Sequence, residues 1–231
     1  MRIALIPARG GSRRIERKNI RDFLGRPMIA YAIQAACECG LFDHVVVSTD
    51  DPETAAVARA NGAEVPFQRP SALADDHAST DDVVLHGLRE CERLWGKVNE
   101  GCCIYPAVPF LTSALLTRGL EALTVNHAPS AFPVVAYDFP IEQAFTLDGK
   151  RPVPRWPELL LARSQDLPVH YHDAGMFYWF DTQRFTSTGQ LFNPDSAAFV
   201  VSPEVVQDIN TPEDWRRAEL KLQILHAMRD G

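Results

Sequence analysis

Apolar residues recur along the chain in short blocks whose spacing alternates between that of a strand and that of a helix. Residues 3–6 form an apolar run closed by Pro7, which is typical of a strand buried on both faces of a parallel sheet. After a long loop, residues 28–36 place apolar side chains at helical spacing between Pro27 and Gly40. The pattern predicts a strand, a loop and a helix as the first unit of the fold.

The same alternation continues as far as residue 136. Strands separated by helices of about 10 to 15 residues imply right-handed crossovers and a three-layer α/β fold with a mostly parallel sheet. Such sheets bind ligands at the carboxyl ends of their strands, where the polar loops of this chain fall. We predict strands at 45–49, at 64–67 near a sheet edge, at 102–105 and at 131–136, and helices at 53–60, from Ser79 or Thr80 to Leu94, and at 115–125.

Residues 137–172 interrupt the alternation with five prolines and scattered aromatic side chains. We predict that they form an inserted arm or lid within a single domain spanning residues 1–231. The core then resumes at 175–180 and ends with a helix that starts at Thr211. The aromatic side chains of the insertion line the lid, contact a second copy of the chain or pack locally, and they include Tyr137, Phe139, Phe145 and Trp156.

The charge of the chain is unevenly distributed. With 23 basic and 30 acidic residues the net charge is −7, which argues against a general binder of nucleic acid or of an anionic membrane. Residues 1–26 nevertheless hold eight basic and only two acidic side chains. A positive pole on an otherwise acidic protein indicates that the ligand is a compact polyanion.

The cysteines and the hydropathy of the chain indicate the cellular compartment. The five cysteines form no CxxC pair and lie mostly in apolar patterns, so we expect reduced, buried thiols rather than disulfides or a zinc site. No stretch reaches the roughly 18 apolar residues of a membrane span. We therefore expect a cytoplasmic protein that has neither a membrane nor a nucleic acid as a partner.

The loop after the first strand carries the strongest chemical signal. Residues 5–19 read LIPARGGSRRIERKN, with two adjacent glycines and five cations. Adjacent glycines let backbone N–H groups converge on one point, and guanidinium groups bond phosphate oxygens. The loop matches neither the P-loop pattern nor the dinucleotide fingerprint, which disfavours an NTPase and a nicotinamide-dependent enzyme. It is either a phosphate-binding loop of another kind or a solvated basic loop.

Eight ordered blocks that begin with this loop resemble the CMP-sugar synthetases that activate sialic-acid-like nine-carbon acids, and most closely their pseudaminic acid cytidylyltransferase branch. The resemblance covers nearly the whole chain and implies a Rossmann-like nucleotidyltransferase fold. It implies transfer of CMP from CTP to the anomeric hydroxyl of a nonulosonic acid, with release of pyrophosphate. The other blocks are GRPMIAYAI, LFDHVVVSTDD, GAEVPFQRPSALADD, IYPAVPFL, RSQDLP, HDAGMFYW and VVQDINTPEDW.

The resemblance also implies which residues contact CTP. The first loop holds the triphosphate, and Arg9 and Lys18 offset the charge that builds on it during catalysis. The segment that contains Arg69 contributes a base or phosphate contact, although Arg69 alone also fits a surface residue before a turn. The nucleotide-binding residues implied in this way are Ala8, Arg9, Gly10, Gly11, Ser12, Arg13, Lys18, Asn19, Arg69 and Thr80.

A divalent metal, Mg²⁺ or Mn²⁺, is implied at Asp208 and Asn210. Alternate residues of an extended segment point to the same side, so these two side chains can present oxygens to one cation. Relatives usually have Asp-x-Asp here, and an asparagine contributes an oxygen but no charge. Asn210 or Thr211 alternatively caps the last helix, with Pro212 at its first position.

The resemblance also implies a site for the sugar acid. The resemblance places it beside Tyr105, Arg163, Gln165 and Asp173, and Met176 stands where relatives usually have glutamine. Pseudaminic acid is favoured, with sialic or legionaminic acid as alternatives. A further alternative is a paralogue that binds nucleotide with little turnover. The resemblance also implies a homodimer in which the insertion reaches a neighbouring subunit.

Overall fold

The computed structural model describes residues 1–12, 14–75 and 78–230. Strands and helices alternate through most of the chain, as the apolar pattern predicts. In chain order the elements are β1 (Arg2–Pro7), β2 (Asp22–Phe23), β3 (Arg26–Pro27), α1 (Met28–Glu38), β4 (His44–Ser48), α2 (Pro52–Ala60), α3 (Thr80–Trp95), β5 (Glu100–Ile104), α4 (Ser113–Val125), β6 (Ser130–Ala136), β7 (Phe145–Asp148), β8 (Arg151–Pro154), β9 (Tyr171–Asp173), β10 (Phe177–Asp181), α5 (Thr182–Thr188), β11 (Ala197–Val200) and α6 (Pro212–Asp230).

The main sheet has seven strands in the order β11-β6-β10-β5-β1-β4, with β9 also paired to β6. Strand β1 lies between two parallel neighbours, and Ile3 is opposite both His44 and Gly101. Strand β10 runs antiparallel to β5 and to β6, whereas β11 is parallel to β6. Because five of the seven strands share one direction, the sheet is mostly parallel and the predicted fold class is confirmed.

Helices cover both faces of the sheet and create two buried layers. Helices α1, α2 and α4 pack on one face, in a cluster that contains Ile33 and Leu116. Helices α3 and α5 pack on the other face, where Leu88 and Phe185 are buried. A third cluster joins the long loop after β1 to α6, with the Phe23 ring edge-on to Trp215 at 5.2 Å between centroids. This third cluster fixes the base of the loop that carries the predicted phosphate contacts.

The prediction of a strand at residues 64–67 is wrong. Only Glu64 makes a bridge there, to Val46 of β4. Pro66 has no N–H with which to continue a ladder, and the segment instead leads to the buried Arg69. The apolar pattern also does not predict the two-residue strands β2 and β3, which pair as a small hairpin within the long loop.

The inserted segment is partly a separate hairpin and partly an extension of the sheet. Strands β7 and β8 pair only with each other, and β9 returns to β6 in antiparallel register. The segment exposes many large apolar side chains, with Leu161 94 % and Phe139 82 % exposed. The other exposed apolar residues of this segment are Tyr137, Phe145, Leu147, Val153, Val169 and Tyr171.

The five cysteines are free thiols. Cys91, Cys102 and Cys103 are buried as predicted, but Cys37 is exposed at the end of α1. Helical spacing places Cys37 on the outer side of α1, whereas the neighbouring Ala36 is in the core.

Substitution of Gly119 tests how closely α4 packs on the sheet. An alanine usually stabilises a helix relative to glycine by about 1 kcal/mol. At Gly119, however, a Cβ would lie 2.6 Å from Phe177 and 2.7 Å from Trp179. We expect Gly119→Ala to lower the free energy of unfolding by about 1–3 kcal/mol, because both rings are fully buried and have no room to move away from the new methyl group.

Gly87 of α3 provides the control for this experiment, with urea unfolding as the measurement. A Cβ at Gly87 would lie 3.0 Å from a terminal methyl of Leu5, which can rotate away. Gly87→Ala should therefore destabilise the protein less than Gly119→Ala. Equal stability of the two variants would contradict the tight packing of α4.

Candidate active site

Two cavities meet at the carboxyl end of β1. The first, of about 410 Å³, lies beside the basic loop that follows β1, which we call the cationic loop (residues 8–19). The second, of about 240 Å³, lies beside the start of α3. Pro7 and Arg9 line both cavities, so the two adjoin each other. The first is also lined by Ser12, Arg14, Ile15, Lys18, Asn19, Pro106 and Asn210, and the second by Arg69, Leu73, Asp75, Ala78, Ser79, Thr80, Val83 and Tyr105.

Hydrogen bonds to backbone groups shape the cationic loop. The Ala8 N–H donates to the Ser48 carbonyl oxygen at 2.9 Å, which continues the β1–β4 ladder into the loop. The buried Asn19 donates from Nδ2 to the Arg9 carbonyl at 3.0 Å. Arg9 in turn donates from Nη1 to the Asp75 carbonyl at 3.1 Å. The loop is thus closed on itself, and Arg9 joins it to the segment before α3.

Lys18 connects the loop to the segment that precedes α6. Its Nζ donates to the Ile209 carbonyl at 2.8 Å. Burial lowers the pKa of Lys18 below its ordinary value of 10.5, Arg14 and Arg9 lower it further, and Asp208 raises it. Three cations and one carboxylate therefore lie close together, with an excess of positive charge facing the first cavity.

Arg69 is buried rather than exposed, with 4 % of its surface accessible. Its guanidinium donates to both the hydroxyl and the carbonyl of Ser48, the former at 3.2 Å. The pKa of Arg69 is lowered to about 10, mainly by burial; Asp50 opposes this shift and Arg9 adds to it. Arg69 thus fastens the end of β4 to the wall of the second cavity, and the surface-residue alternative does not hold.

Thr80 and Tyr105 both line the second cavity. Burial raises the pKa of the Tyr105 hydroxyl to about 12. The Tyr105 ring meets Tyr178 edge-on at 6.1 Å, and the Tyr178 hydroxyl donates to Asp173 Oδ2. A polar and aromatic path therefore leads from the second cavity to Asp173.

Asp173 is held by two donors. The Gly175 N–H donates to Oδ1 at 2.8 Å, opposite the Tyr178 contact on Oδ2. Burial raises the pKa of Asp173 above its ordinary value, while Gly175 and His172 lower it. Asp173 and Tyr105 are therefore brought to the same side of the sheet as Thr80.

Asn210 lines the first cavity, and Asp208 beside it lines a separate cavity of about 500 Å³ next to the inserted segment. The Asn210 side-chain amide donates to Asp208 Oδ2. Thr211, rather than Asn210, caps α6: the Asp214 N–H donates to Thr211 Oγ1 at 3.1 Å, and the Thr211 N–H donates to Asp214 Oδ2 at 2.8 Å. The capping interpretation of Asn210 is wrong because its side chain turns to Asp208, so the amide is available for the site.

These contacts fit a nucleotidyl-transfer site, and comparison with known proteins gives the family. A cytidylyltransferase family profile matches residues 3–204. The chain belongs to the cytidylyltransferase family. Among its relatives, a pseudaminic acid cytidylyltransferase from Campylobacter jejuni subsp. jejuni serotype O:2 is 38% identical over 225 residues, which are 97% of this chain and 97% of that one.

More distant relatives share the fold of this cytidylyltransferase. A CMP-N,N'-diacetyllegionaminic acid synthase from Legionella pneumophila subsp. pneumophila is 28% identical, over 96% of each chain. The structure of CMP:2-keto-3-deoxy-manno-octonic acid synthetase complexed with CTP superposes with a TM-score of 0.70 at 17% identity. That superposition covers 96% of this chain and 98% of the other, and it bears on the fold alone.

Some predicted site residues lie elsewhere in the cytidylyltransferase. Arg163 and Gln165 are exposed on the inserted segment, outside both cavities, and Arg163 donates to Asp166 at 2.8 Å. Met176 is 3 % exposed and packs in the core, so the residue that replaces the usual glutamine is a structural contact here. Arg13 lies outside the described residues.

Sequence reasoning missed several residues that shape the site. Ser48 accepts from both Ala8 and Arg69, and Tyr178 holds Asp173. Arg14 also lines the first cavity, although the sequence marks it only as one of five cations. Ser48 follows a run of three valines, and a polar residue at the end of a buried strand is the signal that could have found it.

The described residues do not by themselves complete a metal site. No group of three or more His, Cys, Asp or Glu side chains in the described ranges could hold an ion. Asp208 offers one carboxylate and Asn210 one amide oxygen. Mg²⁺ commonly binds one or two protein carboxylates and takes its remaining ligands from water and substrate phosphates. The donors present therefore fit a Mg²⁺ ion that is shared with a phosphate ligand.

The lowered pKa of Lys18 predicts a pH dependence of polyphosphate binding. A bound triphosphate stabilises the charged ammonium and raises this pKa, so binding takes up a proton when Lys18 is neutral. Affinity should be constant below the pKa of the free protein and should fall above it, by up to about tenfold per pH unit. Because that pKa is below 10.5, the fall begins at a lower pH than for an exposed lysine.

Isothermal titration with inorganic triphosphate between pH 7 and 10.5 measures this effect. Lys18→Arg keeps its charge to a higher pH, so its affinity should decline less than that of wild type over this range. The same alkaline decline in wild type and Lys18→Arg would assign the titration to another group.

Proposed function

We propose that this cytidylyltransferase transfers CMP from CTP to the anomeric hydroxyl of a nonulosonic acid, with pseudaminic acid as the favoured acceptor. The observation that carries the proposal is the pair of adjoining cavities that share Pro7 and Arg9. One is lined by cations and suits a triphosphate, and the other is small, partly apolar and suits a pyrimidine ring. The C. jejuni relative, whose name gives pseudaminic acid as its acceptor, supports the choice of sugar.

The proposed reaction is an in-line attack of the acceptor hydroxyl on the α-phosphorus of CTP. The bond to the β-phosphate breaks, and pyrophosphate leaves. Arg9 and Lys18 line the cavity in which the phosphates would lie, so their charges stabilise the negative charge that develops there. Gly11 and the Ser12 hydroxyl are proposed to donate to the same phosphates, and Gly10, whose N–H is bound to Asp50, is proposed to let the loop approach them closely.

A metal is proposed to bind with the nucleotide at Asp208 and Asn210. When bound, Mg²⁺ or Mn²⁺ would neutralise phosphate charge and polarise the phosphoryl oxygens. Lys18 lies near Asp208 and compensates its single negative charge, so the phosphates are proposed to supply the remaining charge that holds the metal. Asp208 is thus proposed to be both a metal ligand and the group that aligns the acceptor side of the site.

The acceptor is proposed to lie beside Tyr105 and Asp173. Their link through Tyr178 gives a rigid wall with hydroxyl and carboxylate groups, which suits a polyhydroxylated acid. Arg163 and Gln165 are too exposed on the inserted segment to complete the site of their own chain. They can take part if the segment reaches the site of a second subunit.

A homodimer joined through the inserted segment follows from this reasoning. The apolar side chains that the segment exposes support it, since monomeric proteins seldom leave such clusters in water. Light scattering at several concentrations tests the oligomeric state. The proposed compartment is the cytoplasm, where CTP is available.

None of the helices in the described ranges combines the length and apolarity needed to cross a bilayer.

Pyrophosphate release tests the reaction directly. The assay combines the protein and Mg²⁺ with each of CTP, ATP, GTP and UTP, and with pseudaminic, legionaminic or sialic acid as acceptor. We expect release only with CTP, and fastest with pseudaminic acid. Release with another acid instead would change the substrate but keep the reaction. CTP binding without any release would favour a nucleotide-binding paralogue.

Substitution of Asp208 tests the proposed metal ligand. Asp208 is exposed and does not support the core, so Asp208→Ala should leave the melting temperature nearly unchanged. Turnover should fall on the order of 100-fold if the carboxylate stabilises the transition state. Asp195→Ala removes another exposed carboxylate outside these cavities and serves as the control. Wild-type turnover in Asp208→Ala would refute the assignment.

Asn210→Asp separates charge from geometry at the same site. A second carboxylate should strengthen the attraction for Mg²⁺ and lower the Mg²⁺ concentration that gives half-maximal turnover. A Mg²⁺ titration of both proteins at saturating CTP measures the shift. An unchanged midpoint would show that residue 210 does not contact the metal.

A further inference from the structure

Two aspartates that have no part in the proposed reaction, Asp50 and Asp51, accept hydrogen bonds from the cationic loop. Asp51 caps α2, and its Oδ2 accepts from the Thr54 N–H at 2.8 Å and from Thr54 Oγ1 at 2.6 Å. The same oxygen accepts from Arg17 Nη2 of the loop at 3.1 Å. Asp51 therefore both caps α2 and contacts the loop.

Gly10 contacts both aspartates through its backbone. Its N–H donates to Asp50 Oδ1 at 3.1 Å. A Cβ at this position would lie 2.7 Å from the Asp51 Cβ, which is closer than carbon atoms approach one another. Gly10 is therefore required for the loop to pack directly against the end of β4 and the start of α2.

Arg17 points away from the cavity that its neighbour Lys18 faces. Its backbone has φ of +51°, which is uncommon for a residue with a side chain. Its guanidinium lies 2.8 Å from Glu53 Oε2 as well as 3.1 Å from Asp51. Arg17 does not line the first cavity. Two ion pairs thus hold the unusual backbone turn that directs Lys18 inward.

We propose that Asp50, Asp51 and Arg17 form a brace that holds the cationic loop in its binding conformation before CTP arrives. The inference rests on the proposed binding of CTP. Arg9, Arg14 and Lys18 repel one another in the free protein, so the loop needs anchors outside the cavity to keep them together. The brace residues are positioning residues, because they contact the loop rather than the phosphates.

Preorganisation predicts an effect on binding rather than on chemistry. If the brace is lost, part of the binding energy of CTP must be used to order the loop. Once CTP is bound, the phosphates hold the cations in place and the reaction proceeds as before. The KM for CTP should therefore rise while kcat stays nearly constant.

Asp51→Asn is the first variant to measure. Asparagine caps helices as well as aspartate does, so α2 is retained while the charge toward Arg17 is lost. We expect KM for CTP to rise by about three- to tenfold, the range for loss of charged contacts at a partly exposed position, with kcat within about twofold. Asp181→Asn is the matched control, because Asp181 also caps a helix but lies away from the loop.

Arg17 supplies the second variant and a rescue. Arg17→Ala should raise KM as Asp51→Asn does, and Arg17→Lys should recover part of the loss because it keeps a cation beside Asp51 and Glu53. The double variant Asp51→Asn/Arg17→Ala should raise KM no more than the larger single effect, since both remove one shared contact. Multiplicative effects on KM, or a fall in kcat with KM unchanged, would overturn the brace.

Hydrogen exchange of the loop in the absence of nucleotide separates the brace from the proposed function. Peptides that cover residues 9–19 should exchange faster in Asp51→Asn and in Arg17→Ala than in wild type and in Asp181→Asn. This comparison decides the brace even if wild type fails to bind CTP, which would refute the proposed function alone. Unchanged exchange in both variants would refute the brace whatever the kinetics show.

Discussion

The crowding of positive charge at the end of β1 is the constraint on which the rest of the site depends. Like charges held close together in partly buried surroundings raise the free energy of the folded protein unless acceptors surround them. Lys18 donates a hydrogen bond to the Ile209 carbonyl, and Arg9 donates one to the Asp75 carbonyl. Arg17 forms ion pairs with the carboxylates at the start of α2. Each acceptor comes from a different part of the chain, so the cationic loop is where distant segments of the fold are joined.

The sheet order explains how these segments meet. Strand β1 lies between β4 and β5, and all three run in the same direction. Their carboxyl ends therefore form one edge, on which Ser48 at the end of β4 and Tyr105 just after β5 flank the cationic loop. Strand β10, although antiparallel, delivers Tyr178 to the same region because its amino-terminal end pairs with the end of β5. One edge of the sheet can thus hold a phosphate chain, a ring and a polar acceptor side by side.

The predictability of the fold and site follows the range of the interactions involved. The strand at 3–6, the helix after Pro27 and the Asp51 cap depend on neighbours in sequence, and all were predictable. The failed strand at 64–67 and the burial of Arg69 depend on contacts with β4, which periodicity does not encode. The Tyr178–Asp173 contact also needs a reversal at Gly175, whose φ of +63° only the folded chain reveals.

Asn210 illustrates how a departure from a family pattern can be accommodated by local contacts. A carboxylate at this position would face Asp208 and repel it, whereas the amide donates a hydrogen bond to it. The capping of α6 by Thr211 and Asp214 does not involve the side chain of residue 210, so helix stability places no demand on it. The single negative charge of Asp208 is then compensated by Lys18 in the free protein. The proposed metal would therefore bind strongly only when phosphates add their own charge, and its binding would depend on the nucleotide.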